Sequence, residues 1–91
     1  MKRVLIISYE LKAPALNKER LLQKIKAYGT WARLSGSAYL IVTAATPVAV
    51  RDSLGTTLGG GDRLFVGESP APSAWKGISV EVSQWILRNQ E

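Results

Sequence analysis

Two short runs of this chain are apolar at nearly every position, and they constrain the fold more than any other feature. Residues 3–9 read RVLIISY and residues 38–44 read AYLIVTA. Successive side chains of a β-strand point to opposite faces of a sheet, so Leu5 and Ile7 face one way while Val4 faces the other. Each large apolar side chain left in water would cost about 1.5–3 kcal/mol. The sequence therefore predicts two central strands that are covered on both faces.

Helix-start signals follow each of these runs. Asn17 is predicted to cap a first helix, and Thr46 followed by Pro47 is a strong start for a second. A side-chain oxygen can cap the free N–H groups of a first turn, and proline fits the first helical position. The three glycines at 59–61 are predicted to end the second helix. Ser79 is predicted to cap a last helix in the tail.

Two further strands complete the pattern, at residues 30–34 and 63–67. The order is then β-α-β-β-α-β with a helical tail. Two split βαβ units with right-handed crossovers give an α+β fold, a ferredoxin-like sandwich with an antiparallel-rich four-stranded sheet in the order 4-1-3-2. Strands two and four carry Arg33 and Arg63. We expect these strands at the edges, where charge limits unwanted pairing.

A chain of 91 residues has the length of one domain. We expect a single ferredoxin-like domain over residues 1–91, with its core at 3–68 and a C-terminal tail and helix at 73–90. The helices that connect the strands cover only one face of the sheet. The tail helix is apolar around much of its circumference, at Val82 and Trp85 among other positions. We expect it to pack on the second face and to help form a two-fold homodimer; a monomer with a partly apolar tail is the alternative.

Composition removes several classes of protein. The chain has no cysteine and no histidine, which excludes disulfides, thiolate metal sites and catalytic sites built on Ser-His or Cys-His pairs. Twelve Lys and Arg against seven Asp and Glu give a net charge of +5, which suits a polyanionic partner and equally suits plain solubility. No apolar run approaches the roughly 20 residues of a membrane helix. We expect a cytoplasmic protein with no membrane partner.

Three stretches together resemble a known family. They are residues 4–11 (VLIISYEL), residues 22–34 continued by 37–43, and residues 61–66 followed by Trp75. In this order and spacing they resemble the small bacterial and phage proteins labelled SinR family, which are related to the CRISPR adaptation protein Cas two and to VapD-type toxins. The resemblance spans nearly the whole chain, although each stretch by itself is an unspecific apolar run.

The resemblance implies a ferredoxin-like homodimer. In some relatives an aspartate at the end of strand one lies near the two-fold axis and, paired with its copy, binds Mg²⁺ for phosphodiester cleavage. Other relatives only hold duplex DNA on basic surfaces. Glu10 stands at the matching position and is one methylene longer. Glu10 is therefore the candidate catalytic residue and, only if paired across a dimer, the candidate metal ligand. Mg²⁺ is the one cofactor implied, and none is required for binding.

Nucleic-acid binding has its own candidates. Basic side chains cluster on and beside the first helix, where they can contact phosphates, although a solvated helix face explains them equally well. Trp31 and Tyr39 can stack on bases, and core packing is the alternative for both. The candidate nucleic-acid-binding residues are Lys12, Lys18, Arg20, Lys24, Lys26 and Arg33.

These observations favour a Cas-two-like homodimer that binds DNA or RNA and has weak or absent metal-dependent nuclease activity. Two alternatives stay open. One is a protein-binding module, such as a phage or mobile-element inhibitor or an immunity-type protein. The other is a Mg²⁺-dependent endoribonuclease toxin that uses Glu10.

Overall fold

The structure, a computed structural model, describes residues 1–90, and the side chains of residues 14–16 lie outside that description. Four strands and three helices follow one another along the chain. They are β1 (Arg3–Glu10), α1 (Pro14–Lys26), β2 (Trp31–Ser35), β3 (Ala38–Thr43), α2 (Pro47–Gly55), β4 (Arg63–Glu68) and α3 (Val80–Asn89).

The four strands form one antiparallel sheet in the order β2-β3-β1-β4. This is the predicted order, so the α+β, ferredoxin-like sandwich with a C-terminal helix is confirmed. The two runs that are apolar on both faces, β1 and β3, lie at the centre, with Val4 opposite Val42. The strands that carry Arg33 and Arg63 lie at the edges, as expected.

The first face of the sheet packs against α1 and α2. Leu5 and Ile7 of β1 are fully buried there, together with Leu21 of α1 and Leu54 of α2. In α1 the apolar residues recur at helical spacing, which places one stripe against the sheet. The buried members of this core cluster are Leu5, Ile7, Tyr9, Leu21, Ile25, Tyr39, Ile41, Val50 and Leu54.

The second face of the sheet packs against α3. Val4, Leu40 and Ile86 form a buried cluster there, and Trp75 and Trp85 pack around it. The predicted packing of the tail on the sheet is therefore confirmed. Because this cover comes from the same chain, covering the second face does not by itself require a second copy.

Polar contacts hold the tail at both of its ends. Ser79 caps α3 by accepting a hydrogen bond from the backbone N–H of Val82 at 3.2 Å, as predicted. At the far end the Gln90 side-chain amide donates to the Ser69 carbonyl at 2.8 Å. A buried apolar cluster flanked by such contacts fixes the helix in one position. No helix within residues 1–90 is long and apolar enough to cross a membrane.

Two predicted helix boundaries are wrong, for local reasons. The first helix begins at Pro14 and not at Asn17, because proline is preorganised for the first helical position. Asn17 lies inside the helix, where its side-chain amide donates to the Asp62 carboxylate at 3.1 Å. The second helix begins at Pro47 behind the Thr46 cap, as predicted, but ends at Gly55, four residues before the glycines. The hydroxyl of Thr57 donates to the Leu54 carbonyl at 2.8 Å, which closes the last turn early.

Removing the side chain that α3 places in the second core should destabilise the protein strongly. We expect Ile86→Ala to lower the free energy of unfolding by about 2–5 kcal/mol, because Ile86 is only 3% exposed. The adjacent Leu87 is 70% exposed, so Leu87→Ala should change it by about 0.5 kcal/mol or less. Urea denaturation followed by circular dichroism measures both. Equal effects of the two variants would contradict the packing of α3.

Candidate functional site

Glu10 lies at the end of β1, where the strand leaves the sheet. Its side chain is 75% exposed, and its Oε1 atom lies 3.7 Å from the Nη1 atom of Arg63, which is 82% exposed. An ion pair between groups this exposed contributes about 0–1 kcal/mol. The pair therefore leaves the carboxylate free to meet a ligand.

A metal site at Glu10 would need ligands that one chain does not bring there. Within the residues that the structure describes, no three acidic side chains lie close enough together to hold a metal ion. The charged neighbour of Glu10 is instead the guanidinium of Arg63, which repels cations. The metal-ligand hypothesis therefore still depends on a second copy, as the sequence interpretation stated.

A cleft of about 460 Å³ opens beside Glu10. Tyr9 contributes a phenol whose hydroxyl donates to the Gly36 carbonyl at 3.4 Å. Burial raises the pKa of Tyr9, repulsion from Tyr39 raises it further, and the charge of Arg33 partly opposes both. The phenol is therefore a proton-bearing donor at neutral pH and not a base. The cleft is lined by Ser8, Tyr9, Glu10, Leu11, Lys18, Gly36 and Ser37.

The basic residues of α1 fall into two groups on opposite flanks of the helix. Arg20 and Lys24 are four residues apart and share one flank, and Lys26 lies on the other. Lys18, at the start of the helix, belongs to the Lys26 side because it lines a cleft with Gly36 and Ser37 of the β2–β3 turn. The stripe of Leu21 and its buried neighbours lies between the two flanks. The structure therefore does not bring the six predicted nucleic-acid-binding residues onto one surface.

One flank of α1 faces the edge strand β2. The Nζ atom of Lys26 lies 4.9 Å from the centre of the Trp31 ring. Arg33 of β2 stands opposite Tyr39, which belongs to the core under α1, so Arg33 points to the same face of the sheet. Its Nε atom donates to the Ser35 carbonyl at 3.3 Å, and its side chain is exposed. We name Lys18, Lys26 and Arg33 the β2-side basic strip.

The other flank of α1 faces α2, and its lysine is already engaged. The Nζ atom of Lys24 donates to the Ser53 carbonyl at 3.2 Å and to the Thr56 hydroxyl at 3.0 Å. These acceptors lie at the C-terminal end of α2, where a cation also meets the negative end of the helix dipole. Lys24 therefore joins the two helices, while Arg20 on the same flank is exposed.

Lys12 lies apart from both flanks of α1, on the loop before it. A Cβ atom added at Gly61 would lie only 2.8 Å from the Cδ atom of Lys12. Gly61 also has a φ of 86°. Both the close approach and the backbone conformation require glycine. Lys12 therefore packs its aliphatic stem on the loop before β4 and leaves its amine exposed.

The two aromatic candidates for base stacking differ in exposure. Tyr39 is 4% exposed and belongs to the first core. Trp31 is 37% exposed, but its ring lies between Lys26 and Tyr39, whose ring centre is 5.9 Å away. The interpretation as a core residue is therefore confirmed for Tyr39, whereas Trp31 is an exposed residue that contacts Lys26.

Asp62, just before β4, is a polar centre of the structure. Its carboxylate accepts hydrogen bonds from the backbone N–H of Gly59 at 2.8 Å, the backbone N–H of Lys12 at 2.8 Å and the side-chain amide of Asn17 at 3.1 Å. These bonds, the one from Gly59 foremost, lower the pKa of Asp62 although desolvation opposes them. Asp62 therefore ties the start of α1 to the loop before β4.

No protein-family model matches this chain, and no curated protein matches it significantly.

The Asp62 contacts predict a dependence of stability on pH. A carboxyl whose pKa is lowered by folding stabilises the protein above its unfolded pKa, here 3.8, and that contribution disappears as the pH falls through the folded pKa. Asp62→Asn should therefore destabilise the protein at pH 7, because the amide nitrogen of the new side chain would face N–H donors. The difference in free energy of unfolding between variant and wild type should shrink towards pH 3.

Asp52→Asn is the matched control, since the Asp52 carboxylate is exposed and contacts only the adjacent Arg51 among the residues described. Urea denaturation at pH 7 and pH 3 measures both variants. If Asp62→Asn lowers the free energy of unfolding no more at pH 7 than at pH 3, the proposed role of the Asp62 carboxylate is contradicted.

Proposed function

We propose that this chain is a Cas-two-like homodimer that binds nucleic acid and has weak or absent metal-dependent nuclease activity. The observation that carries the proposal is the β2-side basic strip, where Lys18, Lys26 and Arg33 stand along one side of α1 and the neighbouring edge strand. The net charge of +5 supports the same conclusion. A cytoplasmic location belongs to this proposal.

The strip suits contact with a phosphate backbone more than contact with bases. All three of its side chains are exposed, and long flexible cations position a nucleic acid without reading its sequence. The aromatic ring beside the strip, Trp31, is already occupied by Lys26. Binding through the strip would therefore be independent of sequence and sensitive to salt.

Weak or absent nuclease activity follows from the surroundings of Glu10. Metal-assisted phosphodiester cleavage requires carboxylates that hold a cation beside the scissile phosphate. Glu10 has Arg63 as its charged neighbour at 3.7 Å. The guanidinium offsets the charge of Glu10, so one chain presents no net negative site for a divalent cation there. This arrangement supports phosphate binding at the β2-side basic strip without cleavage at Glu10.

Removing the three charges of the strip should weaken binding strongly. We expect the triple variant Lys18→Ala, Lys26→Ala, Arg33→Ala to lose most of its affinity for duplex DNA and RNA. The slope of log K against log salt should become less negative by about 2–3, the number of phosphate contacts removed. Fluorescence anisotropy at two salt concentrations measures both quantities.

The matched control removes three charges elsewhere, in Arg51→Ala, Lys76→Ala, Arg88→Ala, and all three side chains are exposed. The control should retain a larger share of the affinity than the strip variant. Equal losses would show that net charge alone attracts the nucleic acid, and no binding by wild type at low salt would overturn the proposal.

Glu10→Ala should leave nucleic-acid processing unchanged. Wild type and variant are incubated with duplex DNA and with RNA in the presence of Mg²⁺ or Mn²⁺, and products are resolved on denaturing gels. We expect no cleavage that depends on Glu10. Metal-dependent cleavage by wild type that disappears in the variant would favour the endoribonuclease alternative instead.

A further inference from the structure

The cleft beside Glu10 lies at the end of the sheet, between the end of β1 and the turn that joins β2 to β3. Tyr9 and Glu10 line it from β1, and Lys18 lines it from α1. Its volume of about 460 Å³ falls within the range of about 300–1,000 Å³ for sites that hold a small molecule. The cleft is therefore large enough for one nucleotide of a longer chain.

The cleft is continuous with the β2-side basic strip. Lys18 belongs to the strip and also lines the cleft. Arg33, also of the strip, lies near enough for its charge to act on the phenol of Tyr9 in the cleft. A nucleic acid whose phosphates contact the strip would therefore bring one of its sugars to the cleft.

Charges of alternating sign continue from the strip across the cleft. The ammonium of Lys18 comes first, and the Glu10 carboxylate follows it. The guanidinium of Arg63 lies 3.7 Å beyond that carboxylate, on β4 and so on the other side of β1 from the turn. An RNA strand has the complementary order of groups, because a 2′-hydroxyl that can donate a hydrogen bond lies between successive phosphates. DNA has no donor at that place.

We infer that this cleft selects RNA over DNA, with Glu10 accepting a hydrogen bond from a ribose 2′-hydroxyl while Lys18 and Arg63 contact the flanking phosphates. The inference rests on the nucleic-acid binding of the proposed function and names the class of nucleic acid. It gives Glu10 a role in specificity that needs neither a metal ion nor a second copy.

A carboxylate suits this role because it only accepts hydrogen bonds. An acidic side chain that bonds a ribose 2′-hydroxyl is the same device that dinucleotide-binding folds use. Against DNA the carboxylate of Glu10 finds no donor on the sugar and repels the phosphates. Glu10 therefore favours RNA by attraction and disfavours DNA by repulsion.

The ion pair with Arg63 leaves both groups available to a strand. At 3.7 Å the Glu10 Oε1 and Arg63 Nη1 atoms are beyond hydrogen-bond distance, and both side chains are exposed. A guanidinium also has five N–H donors. Arg63 can therefore hold the carboxylate in place and still donate to a phosphate.

The test compares strands of RNA, DNA and 2′-fluoro RNA of one sequence, by fluorescence anisotropy at low salt. The 2′-fluoro strand keeps an RNA-like sugar but has no 2′-hydroxyl, so it separates the hydrogen bond from the shape of the strand. We expect wild type to bind RNA about fivefold to tenfold more tightly than either other strand, which is the effect of one hydrogen bond.

Glu10→Ala should reduce the preference for RNA to about twofold or less, because alanine neither accepts from the hydroxyl nor repels DNA phosphates. Glu10→Gln keeps an acceptor oxygen without the charge and should retain most of the preference over 2′-fluoro RNA. Glu68→Ala is the matched control. Glu68 is also a carboxylate paired with an arginine, Arg3 at 2.7 Å, but it lies at the other end of β4. It should leave the ratio of affinities unchanged.

Three results would overturn the inference and leave the proposed function standing. The first is equal binding of RNA and DNA by wild type. The second is binding of the 2′-fluoro strand as tight as that of RNA, since shape would then be the feature that is recognised. The third is a preference that Glu10→Ala retains in full. Binding of none of the three strands at low salt would overturn the proposed function together with this inference.

Discussion

Burial of β1 and β3 on both faces is the constraint on which the rest of this structure depends. Leu5 and Ile7 are fully buried under α1 and α2, while Val4 and Leu40 are buried under α3. A four-stranded sheet with two connecting helices has cover for one face only. The tail supplies the other, so the protein has three layers, helices, sheet and helix, and each central strand contributes to two cores.

The covered faces also decide where a partner can bind. Because helices cover both faces of the central strands, nucleic-acid bases cannot stack on an open sheet surface there. Tyr39 lies inside the core. The surfaces that stay open are peripheral: the flank of α1 beside β2 and the outer edge of β4. The proposed function uses the first of these surfaces.

Much of the fold could be predicted from local signals, and what was missed involves contacts distant in sequence. The start of α2 follows from Thr46 and Pro47, which act within one turn of the helix. The role of Asp62 could not be predicted, because its partners Lys12 and Asn17 lie 50 and 45 residues away. The glycines before it did indicate a loop, but the sequence contains no sign of which donors that loop would meet.

In the candidate site, too, some features follow from local spacing and others depend on contacts distant in sequence. Helical spacing alone separates Lys26 from Lys24, and this could have been predicted. Which flank meets α2 depends on how the helices pack, so the engagement of Lys24 by Ser53 and Thr56 required the structure. The pairing of Glu10 with Arg63 follows from the register between β1 and β4, which composition and spacing do not specify.

The most direct test of this account is a measurement of nuclear Overhauser effects between methyl groups of the dilute protein. Packing of α3 on the sheet predicts strong cross-peaks from Ile86 to Val4 and Leu40, the three residues that form the second core. Absence of these cross-peaks, together with narrow resonances from a tail that moves independently, would contradict the account, because the second face of the sheet would then be uncovered.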